Sequence, residues 1–420
     1  MNVIITPNQL SGDVVIPPSK SLSHRAIIAA SLALGNSVIS NVLLSKDIIA
    51  TINSMRACGA TIDIDGDKLY IKGSKVIRKE NIIDANESGS TIRFMIPIAL
   101  VASEPITFIG RNNLVNRPLD PYLEIFERDG IKYKRNEKYL PLEVSGSLKP
   151  GVYPIRGDIS SQFITGLLYA LPMLNGDSII EITTKLESKG YIDLTLDILN
   201  KFGIKIVNDN YEKFYIKGNQ SFKPCDYEIE GDFSQSAFFL VADMLGADIN
   251  LKAMNLASHQ GDKKILNDIK DFGGEIYSNG DVIKANNKNL KGATIDFSQS
   301  PDLGPALTVL ASVSPGVSNF INASRLRIKE CDRITCMKQE LEKMGAHIEE
   351  LPDGMIITGV EKLNGAIVDS HNDHRVAMSL AMASLVCDSE ITILNCECVS
   401  KSFPSFWNVF ESLGGKIRYE

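Results

Sequence analysis

With 420 residues, 44% of them apolar and 23% charged, the chain has the composition of a folded globular protein and enough length for two cores. A net charge of −7 with no long basic run or tail argues against nucleic acid as a partner. No segment reaches about 18 uninterrupted apolar residues, the start MNVIITPNQL lacks a charged region ahead of an apolar one, and seven scattered cysteines read as reduced cytoplasmic thiols, so neither membrane span nor signal peptide is expected.

Taken in chain order, two strand-like runs come first, NVIITP and GDVVIPP. Next stands PPSKSLSHRAIIAASLALG, where Lys20, His24 and Arg25 sit among serines at the head of a run that is apolar nearly all round, the pattern of a buried helix. DIIATINSMRAC follows, with apolar residues three and four apart, which predicts an amphipathic helix. It stops at Gly59, one residue past the last turn, where a left-handed terminator is wanted. Strand-like TIDID and LYIKG then flank a Gly-Asp turn.

The same order returns five times. The glycines that end the amphipathic helices are Gly59, Gly130, Gly203, Gly273, Gly345 and Gly414, at intervals of 71, 73, 70, 72 and 69. Polar loops opening apolar helices recur at Lys20, Gly89, Ser160, Asp232, Asp302 and Asp373, at intervals of 69, 71, 72, 70 and 71. With a strand such as SIIEIT between the two helices, each repeat reads β-α-β-α-β-β. Six repeats exceed one core, so the expectation is an α/β (α+β) chain with three repeats per domain. One domain would span 18–230 and the other 1–17 plus 231–420, with the two N-terminal strands completing the sixth repeat.

A helix N-terminus carries unsatisfied N–H groups and about half a positive charge. Several such termini aimed at a shared cleft, with Lys20, Arg25, Arg93 and Arg375 on their loops, would make an anion trap. Serine and aspartate at these places also have a plainer use as helix caps. Asp232, Asp302 and Asp373 occupy equivalent positions and all three suit that use. RIKECDR, taken alone, reads as a solvated helix start of alternating sign. His24, His371 and His374 lack the spacing and glutamate of a zinc helix, and no metal is expected.

The blocks SKSLSHR at 19–25, ESGSTIR at 87–93, RP at 117–118, DISSQF at 158–163, SKGYID at 188–193, PDLG at 301–304, RIKECDR at 327–333, NDHR at 372–375 and KSFP at 401–404 together resemble the EPSP synthase family, the 3-phosphoshikimate 1-carboxyvinyltransferases. The resemblance runs over essentially the whole chain. It implies an inside-out α/β architecture of two domains that close on their substrates, and a reaction of the shikimate pathway leading to chorismate and the aromatic amino acids. Shikimate 3-phosphate and phosphoenolpyruvate would be the partners, with no cofactor. The 18–230 domain would serve mainly shikimate 3-phosphate and the other mainly phosphoenolpyruvate and the acid–base groups. Both substrates carry a phosphate and a carboxylate, which suits the forked geometry of arginine.

By the same resemblance, Lys20, Ser21, Arg25, Ser160, Ser161, Gln162, Ser188, Tyr191, Asp302 and Lys329 would bind shikimate 3-phosphate. Lys20, Gly89, Gln162, Arg117, Arg333, Arg375 and Lys401 would bind phosphoenolpyruvate. Asp302 would take the hydroxyl proton, Glu330 would give a proton to the methylene carbon, and Lys20 would lie near that transfer. Three positions depart from the common pattern: Arg325 stands where asparagine is frequent, Phe94 where proline is, and the loop reads ESGST. The related transferase acting on UDP-N-acetylglucosamine is the nearest alternative, yet GRNNLVNRPLD holds no cysteine where that enzyme carries a reactive one. A noncatalytic scaffold for anionic partners would need the cations but neither Asp302 nor Glu330. No exposed apolar stripe stands out, so a cytoplasmic monomer is expected.

Overall fold

The computed structural model describes residues 1–420, which form two compact units. The first unit is Lys20–Ile229, and the second joins Met1–Ser19 to Glu230–Glu420. The first contains helices α1 (Lys20–Leu32), α2 (Lys46–Ala57), α3 (Gly89–Ala99), α4 (Asp120–Asp129), α5 (Ser161–Ala170) and α6 (Lys189–Lys201). The second contains α7 (Phe233–Met244), α8 (Ile265–Asp271), α9 (Gly304–Ser312), α10 (Arg333–Lys343), α11 (His374–Ala383) and α12 (Phe406–Ser412).

Six four-stranded sheets accompany these helices, one per repeat. The second repeat shows the pattern. Ile82–Asp84 runs parallel to Ile106–Ile109, which pairs antiparallel with Leu142–Ser145, and Lys132–Arg135 closes the sheet on the far side. The β-α-β-α-β-β repeat is therefore the folding unit, and mixed sheets result because one connection is a helical crossover and the last is a hairpin.

The ends of the chain depart from expectation. Val3–Thr6 does complete the sixth sheet, between Ile391–Leu394 and Lys416–Tyr419. Ser11–Val15 does not join it. This strand lies parallel to Asp248–Lys252 and supplies the missing first strand of the fourth repeat. The first repeat likewise obtains its leading strand from Tyr227–Glu228, parallel to Gly35–Ser40. The reason is connectivity: the chain leaves the second unit after Ser19 and returns at Glu230, so each passage leaves behind a strand that pairs where it stands.

The odd-numbered helices are the buried ones. Ala26, Ile27, Ile28, Ala29 and Ala30 of α1 are all fully inaccessible, as are Val376, Ala377, Met378 and Leu380 of α11. A helix apolar on every side loses the most surface to water in the middle of the unit, at about 25 cal/mol per Å² of apolar area. The even-numbered helices bury one face each. All six terminating glycines adopt positive φ, between 70° and 114°. A residue with a Cβ is strained there. Inside the first unit α3 and α5 cross at Gly166, where a Cβ would strike the Tyr122 hydroxyl and the Arg93 carbonyl.

Candidate active site

In the first unit the expected residues cluster at the heads of α1, α3, α5 and α6. Ser88 and Ser160 cap α3 and α5, accepting hydrogen bonds from Thr91 N and Gln162 N. Lys20 Nζ lies 2.9 Å from Asp47 Oδ2. Arg25 is buried and ties α1 to α6: Nε donates to Thr195 Oγ1 at 2.9 Å, Nη1 to the Ser21 carbonyl at 2.8 Å and Nη2 to the Tyr191 carbonyl at 3.0 Å. Its guanidinium also stands 5.3 Å from the Phe94 ring centroid, so the phenylalanine at this departure packs against the cation. Ser188 heads α6 in the left-handed region at φ 55°, and its carbonyl accepts from Tyr191 N.

Gly89 and Arg117 meet directly. A Cβ on Gly89 would sit 2.6 Å from Arg117 Nη1 and 2.9 Å from its Cζ, so the guanidinium rests on the bare backbone at the start of α3. Gln162 is held from both ends. Arg93 Nη1 donates to its Oε1 at 2.7 Å, and its Nε2 donates to Ser90 Oγ at 2.9 Å. From sequence Arg93 is one of the loop cations, with no substrate assigned to it. Its position in the second turn of a buried helix, where a charge has to be matched, is the available signal.

His24 corrects the simplest view of the opening basic cluster. It is fully buried, and desolvation pushes its pKa down to about 3, against the pull of Asp47. The neutral ring takes part in a chain of short contacts: Nδ1 to Thr51 Oγ1, Thr51 to Thr91, and Thr91 to Ser88 Oγ, each 2.7 Å. That chain joins the heads of α1 and α3 through α2.

In the second unit the expected residues form one charge network. Asp302 lies on the 3-10 turn Pro301–Leu303 ahead of α9, whose cap position is Leu303. Its Oδ1 is 2.9 Å from Arg333 Nη1 and 3.2 Å from Lys329 Nζ, and its Oδ2 is 3.2 Å from Arg375 Nη2. Glu330 Oε2 is 2.8 Å from Arg333 Nη2, and its Oε1 is 3.6 Å from Lys401 Nζ. Arg333 Nε is 2.8 Å from Asp373 Oδ2. Asp373 and Asp232 do cap α11 and α7.

RIKECDR is therefore no solvated face: Arg333 is 1% exposed, at the first position of α10 behind the cap Asp332. Arg325 donates from Nη2 to the Ser298 carbonyl at 2.7 Å. Arg327 is bound to Asp332 and Glu350 and braces the loop. Four cations here face three carboxyl groups, so the network keeps one net positive charge with all three ionised and two with Glu330 protonated. Desolvation opposes ionisation of Asp302, yet Arg375, Lys329 and Arg333 outweigh it and hold the carboxyl well below its ordinary range. Lys329 is pushed down to about 8, first by desolvation and then by Arg333 and Arg325, with Asp302 pulling the other way. An ionised carboxylate beside a lysine that readily sheds its proton is an arrangement for moving protons.

Cationic loops at the heads of buried helices, with ionised carboxylates among them, define an enzyme class that handles anionic substrates. The comparisons with known proteins narrow this. The family described as EPSP synthase (3-phosphoshikimate 1-carboxyvinyltransferase) matches residues 4–410. A Clostridium perfringens protein named 3-phosphoshikimate 1-carboxyvinyltransferase is 52% identical over 421 residues, covering 100% of this chain and 99% of its own. One of the same name from Clostridioides difficile is 52% identical, covering 98% and 97%. The solved structure of EPSP synthase from Acinetobacter baumannii superposes with a TM-score of 0.80 at 25% identity, over 100% of both chains. The chain belongs to the EPSP synthase family, and the UDP-N-acetylglucosamine reading falls away.

Proposed function

We propose that the chain transfers the carboxyvinyl group of phosphoenolpyruvate to the 5-hydroxyl of shikimate 3-phosphate, releasing inorganic phosphate, with the following division of labour. The hydroxyl oxygen attacks the central carbon of phosphoenolpyruvate while the methylene carbon gains a proton. The tetrahedral adduct then loses phosphate and a methyl proton. Asp302 takes the hydroxyl proton, and Lys329 aligns it with the hydroxyl. Glu330 delivers the proton to the methylene, with Lys20 assisting.

Ser21, Arg25, Ser160, Ser161, Ser188 and Tyr191 hold shikimate 3-phosphate, so the first unit is mainly its side. Gly89, Arg117, Arg333, Arg375 and Lys401 hold phosphoenolpyruvate, Gln162 touches both, and the second unit supplies the acid–base groups. The observation that carries the reading is the Asp302 carboxylate, kept ionised by three cations while 21% of its side chain stays exposed. A carboxylate needed only for structure would gain nothing from that exposure. The enzyme works as a cytoplasmic monomer.

Incubating the protein with both substrates should release phosphate stoichiometrically with product. Release with UDP-N-acetylglucosamine in place of shikimate 3-phosphate, or none with either, overturns the reading.

A further inference from the structure

All seven cysteines are free thiols, and two of them stand together beside the charge network. Cys331 immediately precedes the cap Asp332, whose Oδ1 accepts from Ile334 N at 3.1 Å and Thr335 N at 3.2 Å. Counted from that cap, Cys331 is the residue just outside α10 and Cys336 is the fourth inside it. These are the two positions whose side chains fold onto one another at a well-formed helix start, usually as an apolar staple. Here both staple positions carry thiols, near enough that each acts on the other's proton affinity.

The surroundings activate one of the pair. His371, whose Nε2 is 2.8 Å from Glu340 Oε1, acts on Cys336 from the other side. Cys331 and then His371 lower the Cys336 thiol, against desolvation, and Cys336 in turn pushes His371 up to about 9. A thiolate near a helix N-terminus beside an imidazolium is the nucleophilic form of cysteine. Cys331 Sγ lies 3.7 Å from Asp373 Oδ2, the carboxylate that holds Arg333. The cluster is not arranged as a metal ligand set. The family's reaction, as set out above, uses neither thiol.

We propose that Cys331 and Cys336 are an oxidation-sensitive dithiol, closed to a disulfide by hydrogen peroxide, that disturbs the neighbouring Glu330–Arg333 pair when it closes. The Cys336 thiolate attacks one peroxide oxygen and the O–O bond breaks. Sulfur is oxidised to the sulfenic acid, and the peroxide is reduced, leaving as hydroxide that takes up a proton to become water. Cys331 sulfur then attacks Cys336 sulfur, the S–O bond breaks, and the Cys331 proton departs with the hydroxyl as a second water. The new bond draws Cys331 away from Asp373, and with it the backbone between Glu330 and Arg333.

The test treats the full-length protein with hydrogen peroxide, blocks remaining thiols, and maps linked peptides by mass spectrometry. The expected result is a peptide joining Cys331 to Cys336 with two hydrogens lost, restored by dithiothreitol. C331S should instead accumulate a sulfenic acid at Cys336 that dimedone traps, and C336S should form neither product. A linked peptide absent while Cys225 oxidises overturns the proposal, and this readout needs no assay of turnover. The activity arm rests on the proposed reaction: untreated C331S and C336S keep turnover, whereas the linked wild type loses it by about 100-fold, the scale of a ~1 Å misplacement. Full linkage with unchanged turnover overturns the coupling to Glu330 and Arg333.

Discussion

The two units build their anion-handling loops from the same repeat and equip them differently. In the first unit the cations lean mainly on neutral partners: Arg25 on a threonine hydroxyl and two carbonyls, Arg93 on Gln162 and the Pro118 carbonyl. In the second, Asp302, Glu330 and Asp373 interlock with Lys329, Arg333, Arg375 and Lys401. Neutral acceptors leave a cation's charge uncancelled for a substrate, whereas paired carboxylates spend that charge on fixing a proton acceptor. One backbone pattern thus yields a gripping surface in one unit and acid–base machinery in the other. The difference lies in which side chains occupy the helix heads.

The comparison can be broken most directly at the two buried arginines. Arg333→Leu strands Asp373, which is fully buried, without its cation, and the loss of stability should reach about 3–5 kcal/mol. Arg25→Leu leaves only neutral acceptors unmatched and should cost about 1–3 kcal/mol. Urea unfolding of both variants checks this, and equal losses would erase the distinction between the units.

Next in size is Asp302→Asn, which keeps the shape and removes the base. Phosphate release should fall by roughly 10²–10⁴-fold, while isothermal titration still detects shikimate 3-phosphate. Gly89→Ala, in the first unit, should act on binding instead. The added methyl displaces Arg117 and should raise KM for phosphoenolpyruvate by about tenfold, the equivalent of roughly 1.4 kcal/mol, with kcat changed less.

The smallest effect is on pH dependence. Lys329 is protonated below about 8 and neutral above it, so the free protein loses a cation beside Asp302 as pH rises through that value. Turnover per KM should decline on that alkaline limb, and Lys329→Arg, which stays charged, should move the limb upward. A limb unmoved by that change would exclude Lys329 as its source.

The interval between Gly59 and Gly130 and its four successors made six repeats readable without coordinates, because a left-handed terminator and an apolar helix are local requirements of the backbone. All six glycines adopt the expected positive φ. Ser11–Val15 shows where local reading stops. The β-branched Val14 and Val15 mark a strand, but pairing with Asp248–Lys252 is decided by which strand lies alongside, more than 230 residues away.

The same division holds at the site. Residue types alone could announce cations at helix heads, since phosphates and carboxylates demand them. They could not tell Asp302 from Asp232 and Asp373, which stand at equivalent places in their repeats. Only the tertiary structure separates them: Asp232 and Asp373 accept from the backbone N–H groups of their own helices, while Asp302 turns to Lys329, Arg333 and Arg375. Helices, strands and stops followed from the chain because they depend on neighbours within a few residues. Partners and proton affinities waited for the fold, because charge and burial are set by groups that only folding brings together.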